Sequence, residues 1–249
     1  MKFILKRILL ILPYNLRKKY LKRFALRYTM LEALQQLKDV GFYPDFIIDV
    51  GTANATYPLL SVFRKSFFIW IEPLVEFERE IQKLRKRYEG DYYIAAAGRQ
   101  NGKATINIHS DLVGSSMLKE MDGFSADGIQ REIDMITVDS LLEKYDMNRE
   151  SNILLKLDVQ GFEIEVIEGA KRMLELCEAI IMEVSFFKFQ KDAPEFYDVI
   201  QYMKKIGYVV YDIFDGLNRP IDNALAQKDL IFVKETGIFR QTRRYSADR

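Results

Sequence analysis

The amino-acid sequence predicts one doubly wound α/β domain: a seven-stranded sheet, mostly parallel with one antiparallel strand, preceded by a helical extension. Three observations predict it. From Asp45 onward, short apolar runs rich in β-branched and aromatic residues alternate with stretches of helical periodicity, as in a parallel sheet covered on both faces. A chain of 249 residues with 49% hydrophobic side chains can build one large core but would be cramped as two domains. No internal repeat, low-complexity tract or Gly/Ser-rich linker divides it.

The first element, residues 1–44, is read as a basic helical extension. Leu5, Ile8, Leu9 and Leu12, then Tyr20 and Phe24, then Met30, Leu31, Leu34 and Leu37 fall at helical spacing, and Pro13 should split the run into at least two helices. Lys2, Lys6, Arg7, Arg17, Lys18, Lys19, Lys22, Arg23 and Arg27 all precede the first acidic residue, Glu32. Such a segment serves either as a packing extension with a solvated cationic face or as a basic amphipathic stretch resting on an anionic membrane through residues 1–30. The apolar run Ile8 to Leu12 stops at Pro13, far short of the roughly 20 residues that span a bilayer, and no small-residue cleavage site follows it. A cytoplasmic location, with peripheral membrane contact as an option, is the expectation.

The domain proper is expected over residues 45–234. Strands are placed near 46–50, 67–72, 92–96, 153–158, 179–184, 208–214 and 229–233, and helices near 56–64, 74–87, 163–175 and 194–206. Two further β-like stretches, 103–109 and 131–136, read as an insertion or sheet extension near the site. Residues 235–249 carry Arg240, Arg243, Arg244 and Arg249 without an apolar period, and are expected to be a flexible tail.

Charge and cysteine narrow the classes of function. After the nine early cations, 28 basic residues face 36 acidic ones, so the chain from Glu32 onward carries −8. An acidic body is a poor partner for a phosphate backbone, and no nucleic-acid partner is expected. Cys177 is the lone cysteine, which excludes an internal disulfide and a cysteine-built zinc site; it reads as a buried thiol.

The segment from Phe46 to Thr56 reads as a buried strand running into small residues and then a helix, the architecture of a nucleotide site. Only Gly51 of a glycine-rich fingerprint is present, beside Thr52, Ala53, Asn54 and Ala55, where a pyrophosphate would want more glycine. Asp49 would repel a phosphate but can face a cationic amino group, which favours S-adenosylmethionine over a dinucleotide. Glu72, at the end of the second strand and before Pro73, stands 23 residues after Asp49, near the separation at which an acid meets ribose hydroxyls. Each acid also has a bland reading, as a helix cap or a solvated strand end. Ala96 and Ala97, within Ala95-Ala96-Ala97-Gly98, are small enough to lie against adenine or simply to pack a sheet on a helix.

The stretch Ile153 to Glu163 is a second buried strand carrying charge, with Lys156 and Asp158 near its end. Buried charges need partners or a task. In a doubly wound sheet Asp158 emerges beside the first strand.

These residues resemble the FkbM-type methyltransferases. The resemblance rests on Ile48-Asp49-Val50-Gly51, Ile71-Glu72-Pro73, Gly114-Ser115-Ser116, Ile136-Thr137-Val138-Asp139, Lys156 through Glu163 with Ile167-Glu168-Gly169-Ala170, and Ile181-Met182-Glu183-Val184. It implies a class I, Rossmann-like methyltransferase fold and methyl transfer from S-adenosylmethionine to a hydroxyl of a sugar, glycan or small metabolite. Ala55 stands where the family's first loop has a second glycine.

Methyl transfer needs alignment of the acceptor oxygen and removal of its proton. Asp158 is the first candidate base and Glu183 the second, while His109, the sole histidine, is a third whose bland reading is a strand-end imidazole. A divalent metal shared by Asp158 and Glu183 is the less favoured alternative, and no metal ligand is assigned. Phe186, Phe187 and Phe189 either wall an acceptor pocket or close the core. A retired methyltransferase fold that docks a membrane or partner, and a dinucleotide-dependent oxidoreductase, are the competing functions.

Overall fold

A computed structural model describes residues 27–121 and 128–245, together with Leu16; the expected helices before residue 27 and the last four residues of the tail lie outside the described residues. The first described helix, α1 (Met30–Asp39), starts where Thr29 caps it by accepting from the Glu32 amide, and Glu32 accepts in return from the Tyr28 amide. It buries Met30, Ala33, Leu34 and Leu37 against the sheet. Its start is tied to the far edge of that sheet: the Met30 amide donates to the Asp215 carboxylate, Asp215 donates to the Tyr28 carbonyl, and Arg27 pairs with Asp212.

The chain then alternates as expected. β1 (Phe46–Val50), α2 (Tyr57–Val62), β2 (Phe67–Ile71), a 3-10 turn at Val75–Phe77, α3 (Glu78–Arg85) and β3 (Gly90–Tyr93) form the first half. β4 (Ala96–Ala97), β5 (Gly102–Ile108), β6 (Ile129–Ile136), a 3-10 turn at Val138–Ser140 and α4 (Leu141–Lys144) follow. The second half is β7 (Ile153–Leu157), α5 (Glu163–Glu168), α6 (Lys171–Leu174), β8 (Cys177–Ser185), α7 (Phe196–Lys205), β9 (Tyr208–Asn218) and β10 (Leu225–Lys234).

The main sheet runs β3-β2-β1-β7-β8-β10-β9, and only β10 is antiparallel to its neighbours. β1, β2 and β7 are buried on both faces, which is why their sequences are unbroken apolar runs apart from Asp49 and Lys156. The strand order reverses between β1 and β7, so a crevice opens beyond their carboxyl ends, where doubly wound sheets bind ligands.

Two expectations are corrected. The third strand ends at Tyr93, not at residue 96: the Ala95 amide bonds to the Glu72 carbonyl, and Ala96–Ala97 leave to pair with β6 in a separate three-stranded sheet, β4-β6-β5. The two β-like stretches near 103–109 and 131–136 supply β5 and β6 of that sheet. The helix expected over 163–175 is broken, because the chain turns at Gly169, whose amide bonds back to Glu165 and Val166, before α6 begins. In the segment expected to be a tail, Phe239 packs edge-on against Phe42, with ring centroids 5.3 Å apart. Among the described residues no helix is long and apolar enough to cross a membrane.

Candidate functional site

The crevice between the two sheets is an open cleft. Val50, Gly51, Ile71 and Glu72 line it from the main sheet, Ala96, Ala97 and Ile106 from the small sheet, and Asp158 and Gln160 from the turn after β7. Apolar walls with few polar groups fit a small-molecule site.

Asp49 and Lys156 are register partners across β1 and β7, so their side chains share a face. The Lys156 Nζ lies 3.4 Å from Asp49 Oδ1 and 3.4 Å from Asp158 Oδ2, and it donates to the Gly51 carbonyl at 2.9 Å. Asp49 also accepts from the Thr56 hydroxyl at 3.2 Å. Burial raises the Asp49 carboxyl, against the opposing pull of Lys156. Burial would lower Lys156, but the charges of Asp158 and Asp49 outweigh it and hold the ammonium above its usual range. Lys156 thus stands as the buried cation that connects Asp49, beneath the Gly51 loop, to Asp158 on the cleft wall.

Gly51 has φ +73°, and a β-carbon there would stand 1.8 Å from the Asp158 carbonyl oxygen. The glycine is required first by the approach of β7 and only then by any ligand. Ala53 and Ala55 in the following turn also carry positive φ, +44° and +114°. At +114° an alanine holds a conformation that favours glycine.

Glu72 is buried and accepts from two backbone amides, Ala53 at 2.8 Å through Oε2 and Leu74 at 3.0 Å through Oε1. Burial pushes it up to about 7, with those two amides pulling the other way. Each oxygen keeps a second lone pair toward the cleft.

From the cleft wall, Gln160 donates from one amide nitrogen to Asp158 Oδ1 at 3.0 Å and to Glu183 Oε1 at 3.2 Å; Glu183, the second candidate base, is not itself among the lining residues. Gln227 donates to the same Glu183 oxygen at 2.7 Å. Glu183 faces Asp229 across β8 and β10. Burial, then the nearby Asp158, pushes Glu183 up to about 8 and Asp229 up to about 7. Glu163 is buried at the start of α5, accepts from the Val159 and Gly161 amides, and is pushed up to about 7 by burial.

The residues expected to hold the cofactor are divided. Asp49 is buried beneath the loop, and Gly51, Glu72, Pro73, Ala96, Ala97 and Asp158 line the cleft. Thr52 turns inward, donating to the Asp49 carbonyl at 2.8 Å, and Asn54 is exposed, so neither lines it. His109 also lies outside the lining; its amide bonds to the Ser115 hydroxyl and its Nδ1 is 3.5 Å from Asp111. Phe186 stacks on Phe196, and the Arg219 guanidinium covers Phe187 at 3.9 Å. Sequence reasoning did not single out Gln160, Gln227 or Asp229. The signal for Asp229 was a lone carboxylate opening the apolar run Leu230-Ile231-Phe232-Val233. Among the described residues no three His, Cys, Asp or Glu side chains are grouped to hold a metal ion.

Residues 49–210 match the model of the methyltransferase FkbM domain. No curated protein matches the chain. Among solved structures it is similar to magnesium protoporphyrin IX methyltransferase from Synechocystis PCC 6803 with bound SAM, at 9% identity over 82% of this chain and 76% of that one, with a TM-score of 0.46. It is also similar to an S-adenosylmethionine-dependent methyltransferase from Clostridium acetobutylicum, at 10% identity over 88% of this chain and 96% of that one, with a TM-score of 0.45. With the family match running from Asp49 in β1 to Val210 in β9, well over half its length, the chain belongs to the FkbM methyltransferases.

Proposed function

We propose that the protein transfers a methyl group from S-adenosylmethionine to a hydroxyl of a sugar, glycan or small metabolite. The observation that carries the reading is the placement of Asp158: its side chain is 39% exposed and lines the same cleft as Glu72, with Lys156 buried behind it.

The donor set suits the cofactor. Glu72 offers lone pairs to ribose hydroxyls, Ala96 and Ala97 give a flat wall for adenine, and the Asp158 carboxylate, with Asp49 buried beneath the loop, favours the positive end of the methionyl part over any phosphate. When bound, S-adenosylmethionine supplies an electrophilic methyl group on a sulfonium. Asp158 then holds the acceptor hydroxyl and takes its proton as the oxygen forms its new bond to carbon. Glu183, pushed up to about 8, keeps its own proton at neutral pH, which leaves Asp158 as the base. The polar lining here is the Asp158 carboxylate and the Gln160 side chain, whose amide donor is turned onto Asp158 and Glu183, and it matches a hydroxyl donor better than an anion.

Isothermal titration with S-adenosylhomocysteine tests the cofactor half: micromolar binding is expected, weakened at least ~10-fold in Glu72→Gln, a loss of about 1.4 kcal/mol. Trideuteromethyl S-adenosylmethionine incubated with pooled sugars and hydroxylated metabolites tests the rest. A mass-shifted ether product, absent with Asp158→Asn although that variant binds the homocysteine product, is the expected result. No binding to the wild-type chain would remove the reading.

A further inference from the structure

We infer that Gln160 is a positioning residue, and that Ser116, from the small sheet's loop, holds it so that one side-chain amide aligns Asp158 against Glu183. The inference rests on the reading of Asp158 as the base.

The geometry is specific to glutamine. Both hydrogens of one NH2 group are spent, one on Asp158 Oδ1 at 3.0 Å and one on Glu183 Oε1 at 3.2 Å, so the two acids accept from a shared donor. Asparagine is one methylene shorter and cannot reach both, while glutamate would put a third carboxylate where the other two already repel. The amide can bridge only because residue 160 adopts φ +53°, a left-handed conformation that few non-glycine residues take.

Something must hold that conformation, and Ser116 does. Its hydroxyl donates to the Gln160 carbonyl at 2.7 Å and accepts from the Leu118 amide at 3.0 Å. Ser116 is itself buried and fixed by paired backbone bonds with Asn107 on β5. A continuous path therefore runs from the small sheet, through Ser116 and the Gln160 backbone, to the two acids at the ends of β7 and β8. Asp158 Oδ2 is left to the Lys156 ammonium, 3.4 Å away.

The readout is the titration of the Glu183 carboxyl, followed by carbon-13 NMR of chain labelled at glutamate side-chain carboxyls and assigned with Glu183→Gln. Gln160→Leu removes the shared donor, and the Glu183 midpoint is expected to rise by about one pH unit, a tenfold change in its proton affinity. Ser116→Ala should move the same midpoint the same way by a smaller step, and Ser116→Thr, which keeps the hydroxyl, should restore it. An unmoved Glu183 midpoint in Gln160→Leu would overturn the inference, and a shift in Gln160→Leu with none in Ser116→Ala would overturn the role of Ser116. Homocysteine-product binding is measured alongside: its absence in the wild-type chain removes the methyltransferase reading while the titrations still judge the bridge.

Discussion

The carbonyl oxygen of Asp158 occupies the space that a side chain on Gly51 would need, 1.8 Å from the position of its β-carbon. The loop that opens the cofactor side and the turn that carries the candidate base are thus in backbone contact. Gly51→Ala must push them apart and also hold an alanine at φ +73°. Urea denaturation should show a loss of about 2–4 kcal/mol, and homocysteine-product affinity should fall with it. An alanine variant as stable as wild type would show that the two segments separate freely.

Lys156 is expected to matter for folding before chemistry. Lys156→Met leaves the buried Asp49 without its cation and should cost about 3–5 kcal/mol at pH 8. The deficit should be smaller at pH 5.5 than at pH 8, because burial favours the protonated form of Asp49. Urea melts at the two pH values decide, and an equal loss at both would show that Asp49 is not the group left stranded.

Ala55 makes the opposite prediction. At φ +114° its methyl group costs conformational energy that a glycine would not incur. Ala55→Gly should raise stability by about 1 kcal/mol in urea denaturation and leave homocysteine-product affinity equal or tighter. A destabilised glycine variant would mean that the methyl contributes more by contact than it costs in strain.

Four acids, Glu72 and Glu163 buried and Glu183 and Asp229 half-buried, give the ligand-free chain a characteristic pH response. Glu72, Glu163 and Asp229 are raised to about 7 and Glu183 to about 8, all above their unfolded values. The folded chain keeps these protons at pH values where the unfolded chain has released them. Their stabilising contribution is therefore complete below about pH 4 and is lost as the pH rises through 7 to 8. The thermal midpoint should be lower at pH 8.5 than at pH 6 by ~3 °C or more. A flat or rising midpoint over that window would contradict the burial of these groups.

The parts of the site that could be read in sequence are those where local pattern and buried position coincide. β1, β2 and β7 are covered on both faces, so each is an unbroken apolar run, and a charge at its end is conspicuous: Asp49, Glu72, Lys156 and Asp158 all announce themselves this way. The end of β3 was not legible, because Tyr92 through Ala97 is uniform in composition and its break arises from the bond between Ala95 and Glu72 and the pairing of Ala96 with Met135. The interruption after α5 was hidden in a run with helical periodicity on both sides of Gly169. Gln160 lay inside a recognised stretch, yet its task depends on Glu183, 23 residues on, and on Ser116, 44 residues back. No periodicity encodes such a contact; it exists only once β7 lies beside β8 and the small sheet is folded over both.

That small sheet has a consequence for how the molecule responds to occupancy. One wall of the cleft, at Gly51 and Glu72, belongs to the main sheet, and the facing wall, at Ala96, Ala97 and Ile106, belongs to the other. A molecule held between them acts as mortar between two separately hydrogen-bonded bodies, so part of its binding energy appears as cohesion far from the contact. Amide hydrogens of β5 and β6, which pair with each other, with the two-residue β4 and, at Asn107, with Ser116, should exchange more slowly when the cleft is filled, while those of β8 and β10 barely change. Occupancy would then be legible in the stiffness of the small sheet, at positions beyond Ile106 and the two alanines that line the cleft.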